Sequence, residues 1–236
     1  MRIGFDVDGV LADLSSAYRE VEARLFGPEE IEDDVPETPD EKARLTTSAK
    51  ATVVEKTKIA AAELRALERK RELVWRAIEA TDNFWTTLKP LDRRAPARIQ
   101  TLALRHRWEI FFITQRPDTA GDSVQHQTQR WLAAHGFDLP SVIVARDSRG
   151  KVAAALHLDY LVDDTAKNCV DAIAESKTRP ILVARHAARP IQANARALGI
   201  GVAGSIGEAL DLLEQAQGAQ DDPKLWKRLA HSVGWK

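Results

Sequence analysis

Cysteine is almost missing from this chain: Cys169 is the only one among 236 residues. A single thiol cannot close an intrachain disulfide or build a cysteine-based zinc site. Long apolar runs are missing too, and none approaches the ~20 residues of a membrane-spanning helix. Met1 leads almost directly into a strand, which leaves no room for a secretory leader. The expectation is a cytoplasmic protein with no membrane partner. Charge of one sign is not in excess, since the formal net charge is −1. That balance gives no support to a nucleic-acid polymer as partner. The six histidines are scattered without the spacing of a metal site. Neither a P-loop nor a Ser-His-Asp pattern is found, and no internal repeat.

What is there suffices for a proper core: 44% of the residues are hydrophobic, and the length suits one or two domains. Residues 1–7 read as a buried strand, with Ile3, Phe5 and Val7 alternating with Gly4, Asp6 and Asp8. Residues 14–27 carry Leu14, Tyr18, Val21 and Leu25 at helical spacing and stop at Gly27-Pro28. An acidic, proline-punctuated stretch, 29–41, follows as a loop or hinge. Thr38-Pro39-Asp40-Glu41 has the form of a helix start with a capping-box glutamate. From 41 to 80 neither Gly nor Pro occurs, and Val53, Ala60, Leu64, Leu67, Val74 and Ile78 form a helical seam. About 70 residues between two core segments are too many for a loop. Residues 14–88 are therefore predicted to be an inserted helical cap. Beyond it, strands at 109–114, 141–145, 160–162, 181–184 and 200–203 alternate with helices, among them 151–158. The predicted fold class is α/β, a Rossmann-like parallel sheet with helices on both faces, built from residues 1–13 and 89–236. The tail 218–236 holds Trp226 and Trp235 and is expected to pack on this core.

The chemistry concentrates where strands end. In DVDGVLAD, residues 6–13, Asp6 and Asp8 start on one side of the first strand, their Cα atoms about 6–7 Å apart. Gly9 then lets the chain turn out of the sheet. Two carboxylates at the end of a hydrophobic strand are costly unless a positive charge joins them. Mg²⁺, which takes one or two carboxylates with phosphate oxygens and water, is the obvious candidate. Thr114 ends the strand EIFFIT and is followed by Gln115, Arg116 and Pro117. Arg116 faces either a phosphate or an acidic neighbour. Lys151 lies between Gly150 and an apolar helix, at a helix start. Asp163-Asp164 follows YLV and again puts carboxylates at a strand end, although such a pair also suits a helix N-cap.

Together these segments, in this order, resemble the four motifs of the haloacid dehalogenase-like (HAD) superfamily of phosphotransferases. The resemblance implies Asp6 as the nucleophile that forms an aspartyl-phosphate, and Asp8 as the acid and base for leaving group and water. It implies Thr114 and the Gln115 N–H as phosphate donors, and Lys151 as the balancing cation. Mg²⁺ would be held by Asp6, the Asp8 carbonyl and Asp163, with Asp164 outside them or orienting Lys151. The cap would lie over the site and help select the substrate. Asp13 and the run FWTTLKPLDRRA further resemble the 5′(3′)-deoxyribonucleotidases, in which an aromatic pair at Phe84 and Trp85 lines a nucleoside pocket. The implied activity is a phosphatase for a small-molecule phosphomonoester, such as a nucleoside monophosphate. The alternatives are a sugar or small-acid phosphate as substrate, or a non-catalytic scaffold on the same fold. Haloacid dehalogenation is disfavoured, because Asp8 and the Asp-Asp pair suit Mg²⁺-dependent phosphoryl transfer.

Overall fold

The computed structural model describes residues 1–27, 51–185, 189–219, 222–233 and 235. Strand β1, Arg2–Asp6, is buried from Ile3 to Asp6. A Cβ added at Gly4 would come within 2.7 Å of Leu158 Cδ1 and 2.9 Å of Ile113 Cδ1, so a larger residue here would have to push these side chains aside. Burial on both faces is the condition of a central parallel strand. Among the described residues five more strands join it: β2 (Glu109–Thr114), β3 (Ser141–Val144), β4 (Tyr160–Asp163), β5 (Arg179–Val183) and β6 (Gly201–Ala203). All pairings are parallel, and the sheet order is β3-β2-β1-β4-β5-β6. This is the doubly wound order, with helices around the sheet, and it places the topological switch point between β1 and β4. The β1–β4 register pairs Phe5 with Val162; one step beyond stand Asp6 and Asp163, side by side where such folds bind ligands.

The helices begin where sequence chemistry starts them. Ser123 caps α4 (Val124–Ala134) by accepting the His126 N–H, and Ser205 caps α8 (Ile206–Gly218) by accepting the Glu208 N–H. Helix α3 (Ala95–His106) carries a proline in its first turn, where no donor is lost. Ser148 caps α5 (Arg149–Ala155) through the Lys151 N–H. The α5 helix therefore starts two residues before the predicted 151–158. Helix α6 (Ala166–Glu175) packs so closely on α5 that a Cβ at Gly150 would lie 2.1 Å from the Asp171 carbonyl oxygen. Ile113, Ala153, Leu158, Leu161 and Ala172 form a core cluster on this side of the sheet. Helices α7 (Arg189–Ala197) and α9 (Pro223–Val233) complete the described α/β part. The tail packs as expected: Leu229, Val233 and Trp235 are buried, and the Trp235 indole N–H donates to the Pro180 carbonyl at 3.2 Å. The Trp226 side chain lies outside the described residues.

The chain divides into two compact units, residues 1–17 with 82–236, and residues 18–81. These bounds differ from the predicted 14–88 insertion, and the reason is local. Phe84, Trp85 and Leu88 are buried, the Trp85 N–H donates to Gln127 Oε1 at 3.0 Å, and the Trp131 indole donates to the Leu88 carbonyl at 2.7 Å. Residues 82–88 therefore pack with α4 in the α/β unit. The second unit comprises most of α1 (Leu14–Phe26) and α2, which is described over Ala51–Glu79. Lys70 pairs with Glu22 at 3.1 Å, and Tyr18 meets Trp75 edge to face. Of the predicted seam, Val74 and Ile78 are buried while Leu67 is exposed; Val53, Ala60 and Leu64 have side chains outside the description. The expected loop at 29–41 and the helix start at Thr38–Glu41 lie outside the described residues. Among the described residues no helix is long and apolar enough to cross a membrane.

Candidate active site

Four carboxylates gather at the carboxyl ends of β1 and β4. Asp6 closes β1 and Asp163 closes β4; both are buried. Asp8 follows in the turn that Gly9 completes at φ +77°. Asp164 rests directly on that turn: a Cβ at Gly9 would stand 1.8 Å from Asp164 Oδ2. Glycine is required here twice, by the left-handed backbone and by the carboxylate over it. The turn itself is held by the Gly9 N–H on the Ala12 carbonyl and by the Leu11 and Ala12 N–H groups on the Val7 carbonyl.

Two buried arginines answer these acids. The Arg149 side chain, 5% exposed, sends Nη2 to Asp6 Oδ1 at 2.5 Å and Nε to within 3.4 Å of Asp163 Oδ2. Its Nη1 is buried and has no hydrogen-bond partner among the described residues. Arg116, 1% exposed, grips Asp8 with both arms: Nε to Oδ2 at 2.8 Å and Nη2 to Oδ1 at 2.7 Å. Thr114 Oγ donates to the same Asp8 Oδ2 at 3.2 Å. Asp163 accepts the Thr165 N–H at 2.8 Å and both its oxygens meet Asn168 Nδ2, at 3.1 and 3.0 Å. Arg185, past the end of β5, donates to the Val10 carbonyl at 3.0 Å.

Electrostatics follow from burial. Desolvation pushes the Asp6 carboxyl well above the usual range; the Asp163 charge adds to this and Arg149 opposes it. Burial also raises Asp163, against the pull of the Thr165 N–H and Arg149. Asp164 is pushed up to about 6, by burial first and the Asp163 charge second. Cys169, buried beside them, has its thiol driven up by burial and then by the charges of Asp163, Asp164 and Asp6. The carboxylates thus carry more negative charge than their surroundings comfortably hold.

Asp6, Asp8, Thr114, Asp163 and Asp164 are brought together as the sequence predicts. Lys151 is not: its Nζ lies 3.5 Å from Asp147 on an exposed side chain. Because the Ser148 cap starts α5 early, Lys151 turns to solvent and Arg149 turns inward. Arg149 is the residue that sequence reading missed, and Ser148 three residues before Lys151 was the available signal. Arg116, expected among the substrate contacts, is committed to Asp8 and to Thr128 Oγ at 2.9 Å. Gln115 is exposed at the strand end. Phe84 and Trp85 form no open platform: Trp85 is fully buried, its indole N–H on the Pro117 carbonyl at 3.1 Å and its ring 4.7 Å from the Arg116 guanidinium carbon. Both rings are packed side chains.

The fit to a divalent cation is one of chemistry. Every donor is an oxygen, as Mg²⁺ prefers, and Asp6, Asp8 and Asp163 meet two buried guanidinium groups. Burial makes unpaired negative charge on Asp6 and Asp163 costly. Among the described residues no three such groups are already gathered into a cage, for Arg149 stands between Asp6 and Asp163.

No family model matches this chain, and no curated protein does. Solved structures do. A haloacid dehalogenase-like protein of unknown function from Agrobacterium tumefaciens shares 16% identity at a TM-score of 0.49, covering 90% of this chain and 97% of that one. A HAD hydrolase of family IA, variant 3, from Entamoeba histolytica shares 13% identity at 0.47, covering 98% and 99%. L-2-haloacid dehalogenase from Xanthobacter autotrophicus shares 15% identity at 0.46, covering 90% and 98%. At such identities and TM-scores the likeness is one of general form, and what the site does has to be read from its own geometry.

Proposed function

We propose that this chain is a HAD-type phosphatase that hydrolyses a small phosphomonoester through an aspartyl-phosphate on Asp6, with Mg²⁺ as cofactor. The observation that carries this reading is Arg149. A buried guanidinium beside the nucleophilic carboxylate, with Nη1 unpartnered among the described residues, has a donor to offer a ligand. A phosphoryl oxygen is an acceptor that suits the planar donor geometry of arginine.

Asp6 attacks phosphorus, and the bond to the leaving oxygen breaks while Asp8 gives that oxygen a proton. Water then attacks the aspartyl-phosphate, Asp8 takes its proton, and the Asp6–phosphorus bond breaks to release inorganic phosphate. Asp6, Asp163 and the Asp8 carbonyl are the groups that would hold Mg²⁺, with Asp164 nearby. When bound, the ion supplies positive charge against the nucleophile and the phosphoryl oxygens. With Phe84 and Trp85 packed away, the substrate we favour is a sugar or small-acid phosphate rather than a nucleotide stacked on those rings. Residues 18–81 are proposed to serve as the cap that selects it.

The test is a screen of phosphomonoesters with added Mg²⁺ or excess chelator, using Asp6→Asn as control. Hydrolysis should require the metal and vanish in Asp6→Asn. Full activity in chelator, or in the purified variant, removes the assignment.

A further inference from the structure

Arg116 is the most completely built side chain of the site that the scheme above leaves without a task. Its guanidinium is fixed on three edges and one face. Nε and Nη2 take the two oxygens of Asp8, at 2.8 and 2.7 Å, and Nη1 donates to Thr128 Oγ at 2.9 Å. The Thr128 hydroxyl is itself oriented, because it donates to the Val124 carbonyl at 2.7 Å. Trp85 covers the face, 4.7 Å from ring centroid to guanidinium carbon. Trp85 is in turn locked by Gln127 on its backbone N–H and by the Pro117 carbonyl on its indole. The guanidinium is thus turned to its neighbours, and one carboxylate receives its fork.

We propose that Arg116 is a positioning residue for Asp8: the fork, backed by Trp85 and Thr128, holds the acid/base carboxylate in one plane beside Asp6. The proposal rests on the phosphoryl-transfer reading. A carboxylate in the turn after a strand has two torsions free to wander, and Asp8 has to meet first a leaving oxygen and then a water. A single hydrogen bond, such as that of Thr114, restrains direction but lets the carboxylate swivel about it. Two parallel bonds from a rigid planar donor fix both torsions, which a lysine cannot do. The aromatic pair Phe84-Trp85 thereby acquires a role behind the site: Trp85 is the wall against which the clamp is set. An acid/base displaced by an ångström loses much of its effect, and the loss shows only where a proton is needed.

The experiment uses the full chain with a series of phosphomonoesters, from nitrophenyl phosphate to alkyl phosphates. Variants are Arg116→Ala, Arg116→Lys, Asp8→Asn and the double variant Arg116→Ala/Asp8→Asn. General acid catalysis contributes about 10²–10⁴-fold. Arg116→Ala should therefore lose about 10²-fold with alkyl phosphates and only a few-fold with nitrophenyl phosphate. Arg116→Lys should resemble it, free guanidinium should restore part of the Arg116→Ala loss, and the double variant should be no worse than Asp8→Asn. A merely structural role would lower all substrates alike. Denaturant unfolding of the same four proteins reads the clamp without activity, and the two sites should be strongly coupled. Equal losses across leaving groups in an active enzyme, full activity in Arg116→Lys, or absence of coupling overturns the proposal alone. Inertness of the wild type to the whole series overturns the phosphoryl-transfer reading and the proposal with it.

Discussion

At the amino-terminal edge of the sheet, Arg2 pairs with Glu109 across β1 and β2 at 3.1 Å. At the carboxyl edge of the same β1, Asp6 pairs with Arg149 at 2.5 Å. The residue types are alike, yet the side chains are 38% and 64% exposed in the first pair and 8% and 5% in the second. Water screens the first pair, so either charge can lose its partner at little cost. Nothing screens the second, and each charge depends on the other. The lesson concerns where a sheet can store reactivity. Charges acquire chemistry at the end where the strands bury them in excess.

The comparison breaks most visibly at Arg149. Arg149→Met removes a cation that stands between two buried carboxylates, and losing one partner of a buried pair costs about 3–5 kcal/mol. Denaturant unfolding should show that loss without metal, and added Mg²⁺ should restore more stability to the variant than it gives the wild type. A variant as stable as the wild type, with no metal response, would show that the site carries no excess of negative charge.

Most of the fold was legible in the sequence, because burial writes itself into strand composition. The predicted strand at 109–114 coincides with β2, and the others differ by a residue or two at their ends. The acids of the site were legible for the same reason: Asp6, Asp8, Asp163 and Asp164 stand directly after apolar runs. The cations were not. Lys151 and Arg149 lie two residues apart, and which one faces the acids depends on helix phase. The helix starts at the Ser148 cap, where the Lys151 N–H meets Ser148 Oγ and the Val152 N–H meets the Ser148 carbonyl. Arg116 and Trp85 sit 31 positions apart in the chain, and only the fold makes one the face-on neighbour of the other.

Asp164 lies between the two extremes, partly open to water yet crowded by Asp163. Its carboxyl is raised to about 6 in the folded protein, from an ordinary value of 3.8. The folded state therefore holds more protons than the unfolded one between those values. Stability contributed by the neutral carboxyl is full below the lower value and is lost as pH rises through about 6. Asp164→Asn should consequently stabilise the metal-free protein at pH 7.5 and leave it unchanged near pH 3.5. Solvent screening limits the gain to about 1 kcal/mol. Thermal unfolding at the two pH values measures it, and equal effects at both would put the cause elsewhere than in the charge.

The smallest effect belongs to the exposed edge. Glu109→Gln removes the acid of the Arg2 pair but leaves Arg2 beside water, with its guanidinium over the Phe111 ring at 5.3 Å and its backbone N–H on Asp159 at 2.7 Å. Exposed pairs are worth about 0.2–1 kcal/mol, because screening weakens the attraction and side-chain ordering opposes it. The variant should fall at the low end of that range, and even this difference should fade in 1 M salt, where the Debye length is about 3 Å. The Arg149→Met loss should fade much less in the same monovalent salt, since a pair only 8% and 5% exposed is screened far less than one open to water. Unfolding of both variants at low and high salt thus sets the two edges side by side. A Glu109→Gln loss as large and as salt-resistant as that of Arg149→Met would mean that exposure is not what separates them.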